Sequence, residues 1–382
     1  MTATLAQVVA ALEGLWDPRT AESWDAVGTV CGDPDAEVRR ILMAVDPVEQ
    51  TVDEAVEDGF DLLVTHHPLY LRGTSTVSAA TPKGRLVHRL IRSGVGLHVA
   101  HTNADAAVPG VSDALARAVG VEGPLEPLDP QPADPLDKIV VFVPAAQAEQ
   151  VVDALAAAGA GELGDYSRAA NLSDSTGTFR PGPGAHPSVG RAGESAYVAE
   201  TRVEMVLPRA RRAAVVAAMR AAHPYEEPAF DVLELALPAG PRGIGRVGRL
   251  ARPVALDEFA ARVASALPPT VVGVRTAGDP DAVVERVAVC GGSGDSFVAA
   301  ATAAGADAYV TADLRHHPVS ESQLAGGPAL LDVGHWASEW PWLAQAAQQI
   351  VTVLSESGTT VEVEVSETCT DPWTIQSSVP DW

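Results

Sequence analysis

Cysteine, basic residues and long apolar runs are all scarce in this sequence, and each shortage removes a class of function. Three cysteines (Cys31, Cys290, Cys369) stand far apart and odd in number. They build neither a disulfide framework nor a CxxC metal knuckle, and read as small apolar residues. Lys and Arg total 26 against 50 Asp and Glu, a formal net charge of −24. A surface of that sign repels a phosphate backbone, because counterion release needs clustered bases. Polymeric nucleic acid is therefore not an expected partner, although a single nucleotide can still sit at a local cationic spot. No run approaches the ~20 apolar residues a bilayer-crossing helix needs. The opening MTATLAQVVAALEGLW lacks a basic flank and holds Glu13, the pattern of an amphipathic helix rather than a signal peptide. A cytoplasmic protein with no membrane partner is expected. Aromatics make up only 5% of the chain while hydrophobic residues make up 47%. That balance suits an α/β protein of small side chains, and 382 residues suffice for two or three domains.

Strand-like and helix-like segments alternate from residue 6 to residue 119, as in a layered α/β domain. The pattern predicts helices at 6–15, 48–57, 85–91 and 111–119, with strands at 27–31, 41–45, 61–65 and 96–100. EGPLEPLDPQPADPLD then places five prolines among acids and reads as a linker over 126–137. A second unit over 138–236 follows the order βα then βαβ, with a Gly/Pro-rich loop at 177–193, and suits a small ferredoxin-like α+β module. A second linker spans 237–244. From residue 245 the first pattern resumes to the C-terminus, with strands at 271–274, 287–290, 308–311, 329–333 and 361–365. The simplest organisation is one α/β body, residues 1–125 plus 245–382, interrupted by an inserted module. DLLVTHHP and DAYVTADLRHHP echo each other. Both are apolar strands leading into His-His-Pro, and ligands of open α/β sheets gather at strand ends.

Adjacent residues on a strand point to opposite faces, so His66 and His67 share one site only if the strand stops there. Pro68 makes that plausible, because it cannot donate a ladder hydrogen bond. Taken alone, the pair suits a metal site and a satisfied strand-end cap equally. Two further strands end in polar residues: His101-Thr102-Asn103-Ala104-Asp105, and Gly334-His335 with Glu339 four residues on. His335 and Glu339 share a helical face if the helix has begun at His335. Imidazoles and carboxylates without cysteine suit borderline divalent metals. Three His with Asp and Glu exceed what one open catalytic ion takes, and are enough for a carboxylate-bridged pair that activates water. Gly291-Gly292-Ser293-Gly294 follow a strand and open a helix; their N–H groups could hold an anion or form a tight turn. They lack the Lys of a P-loop and the spacing of a dinucleotide fingerprint.

AESWDAVGTVCGDP, DLLVTHHPLY, GLHVAHTNADAA, HPYEEPAFDV, VAVCGGSGDS, VTADLRHH and GHWASE, in this order, resemble the motifs of the Nif-three-like dinuclear-metal-centre proteins, relatives of a type-two GTP cyclohydrolase I. The resemblance runs from about residue 21 to 373. It implies a Nif-three-like α/β body with a P-II/CutA-like insertion. It also implies metal ligands at His66, His67, Asp105, His335 and Glu339, and a toroidal homohexamer. The implied cofactor is two divalent ions per subunit, with Zn, Fe, Mn and Co all compatible. His101 is expected to orient Asp105 or its strand, with Asn103 and Asp313 in supporting positions. His317 is a candidate for proton transfer or substrate contact, the alternative being a hydrogen-bonded structural histidine. Ala312 stands where the motif usually has Gly. Asp46 is assigned no role, and HPYEEP is read as a helix-to-strand connector or a contact surface. The resemblance implies a metal-dependent hydrolase for a small nucleotide-like or phosphorylated substrate. The alternative is a non-catalytic metal-binding, delivery or regulatory protein.

Overall fold

Strand β1 (Ala3–Thr4) pairs with β3 (Glu37–Val38), and Thr4 caps helix α1 (Leu5–Leu15) through a capping box with Gln7. Leu5, Val8 and Leu12 recur at helical spacing and are buried. In the computed structural model, which describes residues 3–236 and 239–377, the chain divides into two units, 1–131 with 241–382, and 132–240.

Besides the β1–β3 pair, the first unit holds two larger sheets. One comprises β2 (Gly28–Cys31), β4 (Arg40–Ala44), β5 (Leu62–Thr65), β6 (Gly96–Val99) and β17 (Glu362–Val365), in the order β17-β4-β5-β6-β2. Its central neighbours run parallel, joined through α2 (Glu49–Glu57) and α3 (Pro82–Ser93). Ile41, Met43, Leu62 and Val64 face one core, and Leu42, Ala44 and Leu63 the other, the period of two that a doubly covered sheet requires. After β6 come α4 (Thr102–Ala106) and α5 (Val111–Ala118).

Of the residues expected to form a linker, 126–132 instead lie in strand β7 (Val121–Pro132), at the edge of a second sheet, 136–137 open the next strand, and 133–135 connect the two. Proline is tolerated on an edge because the missing N–H is not needed by a neighbour. Residues 237 and 238 of the second expected linker lie outside the described residues, and its remainder opens the long strand β12 (Ala239–Ala255).

The second unit contains β8 (Leu136–Pro144), α6 (Ala148–Ala157), β9 (Asn171–Phe179), β10 (Ala196–Pro208), α7 (Arg212–Ala222) and β11 (Phe230–Glu234). The antiparallel sheet runs β11-β8-β10-β9. The sequence reading lacks β9. That strand sits on the sheet edge and is polar and mostly exposed, so no apolar alternation marks it.

The first unit resumes after β12 with α8 (Leu256–Ala266), β13 (Arg275–Ala277), β14 (Val283–Ser293), α9 (Val298–Ala303), β15 (Ala308–Ala312), α10 (His316–Leu324), β16 (Ala329–Val333) and α11 (His335–Glu356). The strand expected at 271–274 is displaced to β13. The second sheet runs β13-β16-β15-β14-β12-β7. Helix α11 touches β4 and β17 of the first sheet and β14 and β15 of the second. Its Trp342, Leu343 and Ile350 join Val8, Met43, Val289 and Val310 in one core. Strand ends of both sheets are thereby brought to the start of one helix.

Candidate metal centre

The site forms where these strands stop. Past β5 the backbone keeps two more hydrogen bonds to its neighbour, His66 N to Ala44 O and His67 N to Val45 O. The chain then turns, so the rings of His66 and His67 lie 5.2 Å apart rather than on opposite faces. Helix α11 begins at His335, which places Glu339 one turn further along the same face. Glu339 is 3% exposed and central. His335 Nε2 is 3.1 Å from its Oε1, His67 Nε2 is 3.0 Å from its Oε2, and His66 Nε2 is 3.4 Å from Oε1. The Nε2 atoms of His67 and His335 are 3.2 Å apart.

Two three-residue groups result: His66 with His67 and His101, and His67 with His335 and Glu339, each with donor atoms within 4.8 Å of one another. His67 is common to both. Asp105 lies at the flank, its Oδ1 3.9 Å from His66 Nε2. His101, expected to orient Asp105 or its strand, is drawn into the first group; its ring is 5.1 Å from that of His66. Among the described residues these are groups able to hold a metal ion.

Every imidazole is held from behind. His66 Nδ1 is 2.9 Å from the Ala100 carbonyl, which only accepts, so the proton is on Nδ1. His67 Nδ1 donates to Asp46 (2.7 Å), His101 Nδ1 to Asp25 (2.8 Å) and His335 Nδ1 to Asp313 (2.6 Å). Such partners fix tautomer and ring orientation, the usual support of a metal-binding histidine. Each Nε2 therefore turns to the shared interior. The partners are themselves anchored: Asp25 accepts from the Thr102 N–H and hydroxyl, and Asp46 from Thr370 Oγ1. Asp25 escaped the sequence reading, and Asp46, assigned no role there, proves to be the partner of His67. Their pairings span 76 and 21 residues, so no local pattern shows them, although Asp25 does lie in the WDAVG segment.

The inner atoms have too few partners. His66 Nε2 and Glu339 Oε2 are buried without a hydrogen bond. Glu339 Oε2 is close to His67 Nε2 in distance, but an imidazole that donates from Nδ1 presents a lone pair there. Lone pairs facing lone pairs call for a cation, either protons or a metal. With protons alone, burial depresses His67, but Glu339 and Asp46 outweigh it and lift its pKa to about 10. The Glu339 charge lifts His335 to about 11. Burial alone would raise Glu339; the surrounding imidazoles hold it well below the ordinary carboxylate range. A field that retains protons so firmly also favours a divalent cation, and the two compete. The donor set thus fits a metal.

The remaining sequence candidates fall in different places. Asp313 ends β15 with φ of +58°, a left-handed turn that its short polar side chain tolerates, and this delivers its carboxylate to His335. The unusual Ala312 stays in the extended strand. Asn103 is buried behind the site, accepting from His101 N and donating to Trp16 O. The N–H groups of Gly291 and Gly292 go to the hydroxyls of Ser112 and Ser338 and so are not free for an anion. Gly292 is glycine for space and shape: its φ is +66°, and a Cβ would run into Glu339. A Cβ on Gly294 would meet Thr311 and Tyr309. Ser293 closes β14 opposite Ala312. His317 lies exposed in the first turn of α10, its ring 5.2 Å from that of His316, and the structure does not bring it to the cluster.

Two cavities open onto the centre. One of about 720 Å³ is lined by His67, His335, Asp313, Arg275, Trp336 and Trp373. The other, about 380 Å³, is lined by His101, Asp105, Glu339, Trp24, Gly292 and Ser296. Among the described residues no helix is long and apolar enough to cross a membrane.

Known proteins share this plan. A protein of Mycobacterium tuberculosis named GTP cyclohydrolase 1 type 2 homolog is 54% identical over 375 residues, 98% of each chain. One of the same name from Bacillus subtilis is 37% identical over 369 residues, 97% of this chain and 98% of its own. The crystal structure of a Bacillus cereus protein related to NIF3 superposes with a TM-score of 0.81 at 33% identity, covering 98% of this chain and 99% of that one. The Staphylococcus aureus protein SA1388 gives 0.84 at 27% identity with the same coverage. Residues 3–372 match the family described as Duf34/NIF3 (NGG1p interacting factor 3), and with that match across nearly its whole length the chain belongs to the Duf34/NIF3 family.

Proposed function

We propose that the cluster is a dinuclear metal centre and that the protein is a metal-dependent hydrolase for a small nucleotide-like or phosphorylated substrate, in keeping with relatives named GTP cyclohydrolase 1 type 2 homolog. The observation that carries this is a pair of adjoining donor groups gathered around both oxygens of the buried Glu339 carboxylate, more donors than one open ion takes. His67, whose Nδ1 is bound to Asp46, offers one lone pair, so a carboxylate would serve both ions. His66, His67, His101, Asp105, His335 and Glu339 would hold the ions, and Zn, Fe, Mn and Co all accept such nitrogen and oxygen donors. Bound there, the ions supply Lewis acidity and lower the pKa of water.

The chain's own residues supply the rest. Asp46, Asp25 and Asp313 keep the Nδ1 protons in place, so the imidazoles stay aimed while charge changes in front of them. Trp336 is buried at the edge of the larger cavity and keeps water from that side, which strengthens charge interactions. Trp373 is 66% exposed and offers a face on which a base can stack. Arg275, paired with Asp332, brings a guanidinium that suits a phosphate. His317 takes no proton-transfer part in this reading. The proposal includes a homohexamer, a cytoplasmic location and a P-II/CutA-like character for the inserted unit.

A second reading, metal storage or delivery without catalysis, is favoured by the strong proton affinity of the same imidazoles, which would release metal on acidification. The two separate by experiment. Metal-quantified protein is assayed against nucleotides, phosphoesters and cyclic amides. Turnover that disappears in Glu339→Ala, while the sedimentation mass is unchanged, supports the hydrolase. A fully metallated protein inert to all three classes but exchanging metal reversibly supports delivery instead.

A further inference from the structure

The inserted unit carries a cavity of its own, of about 510 Å³, within the range of small-molecule sites. Nothing in the metal chemistry uses it. The HPYEEP segment, left unabsorbed by the metal site, forms one of its walls. His223 Nε2 donates to the Phe142 carbonyl, and its Nδ1 accepts from the Tyr225 N–H. That neutral, doubly bound imidazole pins the turn. Tyr225 then reaches inward, and Glu226 Oε2 accepts from the His186 N–H, tying down the loop that supplies Pro181 and Pro187 to the wall. The segment is therefore more than a connector.

At the floor stands Glu200 of β10, whose residue is 7% exposed. Its Oε1 accepts one hydrogen bond, from the Tyr225 hydroxyl at 2.8 Å; burial and this neighbour hold the phenol proton on. A carboxylate so enclosed ordinarily has a cation or several donors. Among the described residues no Lys or Arg lines the cavity, and Arg202, two residues along β10, is paired with Glu204. Gly177, on the neighbouring strand β9, keeps the carboxylate's surroundings clear, since a Cβ there would collide with both its oxygens. Phe142, Phe179 and Tyr225 supply aromatic surface, the last two with rings 5.8 Å apart; Glu226 and Glu227 also line the cavity, the latter with Arg220 Nη1 3.8 Å from its Oε2.

A buried carboxylate with one neutral partner, aromatic walls and lining charge of one sign are together complementary to a cation with an apolar body. We infer that this cavity binds a small organic amine, an ammonium or guanidinium group on an aromatic or aliphatic frame, with the charged group on Glu200 and the frame against Phe142, Phe179 and Tyr225.

The test uses the full-length, metal-loaded protein with 2-phenylethylamine as probe and 3-phenylpropionate as its anionic counterpart. Ligand-detected NMR and calorimetry give the affinities. The amine is expected to bind with Kd of about 1 mM or tighter, at least about tenfold more tightly than the anion. Glu200→Gln keeps the shape and the Tyr225 contact while removing the charge, and is expected to weaken amine binding at least about tenfold. Metal content and the far-ultraviolet spectrum check that this variant is folded. Should it not fold, Phe179→Leu removes aromatic surface only and is expected to weaken the amine about threefold, with the anion unchanged. Equal binding of amine and anion, an amine affinity unmoved in both variants, or no binding at 10-fold the expected Kd overturns the inference. So does protection of the cavity that depends on protein concentration, which would mean that a second copy of the chain fills it.

Discussion

Two groups of buried charge in the same unit are handled in opposite ways. Arg246 is 1% exposed, yet every arm of its guanidinium is met: Nε by Asp113 at 2.8 Å, Nη1 by the carbonyls of Gly243 and Gly245, and Nη2 by that of Ala107. Asp113 in turn accepts from the Gly110 N–H. This network is closed and needs nothing from outside. In the histidine–glutamate cluster His66 and Glu339 are as buried, with His67 and His335 partly exposed, yet His66 Nε2 and Glu339 Oε2 lack partners, while the outer nitrogens are all engaged. It is closed behind and open in front. Burial of charge is common to both, so burial does not mark the functional site; unmatched metal-ligating atoms that face one another do. Glu200 in the inserted unit stands between the two, half matched by Tyr225.

The contrast breaks most sharply at Glu339, the residue nearest all three inner imidazoles. Glu339→Ala is expected to lower metal affinity more than about a hundredfold, beyond the range for removing an outer partner; elemental analysis after dialysis reads it. Retention of the full metal complement would show that the open cluster is not the binding site. At the closed network the response is one of stability. Arg246→Ala leaves Asp113 buried and unpaired and takes the donors from three carbonyls, at a cost of about 3–5 kcal/mol. Denaturant unfolding measures this, with metal content per folded molecule unchanged. If metal were lost in proportion, the two networks would be coupled rather than separate.

A third effect divides the histidines by pH. His98 is 2% exposed on β6, with Thr29 Oγ1 3.1 Å from its Nδ1, and burial lowers its pKa to about 4. Unfolded, it titrates at the ordinary value of about 6.5. Between those limits the unfolded chain holds the extra proton, so stability falls as pH drops from about 6.5 to 4, by about 3 kcal/mol. The cluster histidines have the opposite sign. Without metal their folded pKa values are raised, so the stability they contribute is present below about 6.5 and is lost as pH rises through about 10 for His67 and 11 for His335. Denaturation of metal-free protein across both windows is expected to show the two limbs, with the acid limb flattened in His98→Leu. An acid limb unchanged in that variant would assign it to other groups.

The part of the site on strand ends was legible in the sequence, because an apolar run halted by His-His-Pro records both a buried strand and its end. His335 and Glu339 were legible for a similar reason, being one helical turn apart. What stayed hidden depends on the return of distant chain. Asp25 and Asp46 meet histidines 76 and 21 residues away, and no spacing rule reaches that far; Asp313, 22 residues from His335, was expected in a supporting position only through the family motif. In the fold, β7 and β9 were hidden because both are edge strands. Prolines mark β7 and polar residues mark β9, and both compositions read as loop when their neighbours are unknown.

The carboxylates behind the histidines allow the finest test of the comparison, because they alter the open cluster from its closed side. Asp46→Asn keeps the size of the side chain, but the amide is a weaker acceptor for His67 Nδ1–H and removes a charge. Metal affinity is expected to fall about 10- to 100-fold, less than on loss of Glu339. Asp46 orients the histidine common to both donor groups, whereas Asp313 orients only His335, which belongs to one. With Nδ1 bound to a carboxylate, His67 and His335 each keep one lone pair, on Nε2, and each can ligate one ion. Asp46→Asn and Asp313→Asn are therefore each expected to weaken one step of a competition titration with a chelator of known affinity and to spare the other. Unchanged affinity in both variants would show that these carboxylates do not aim metal ligands.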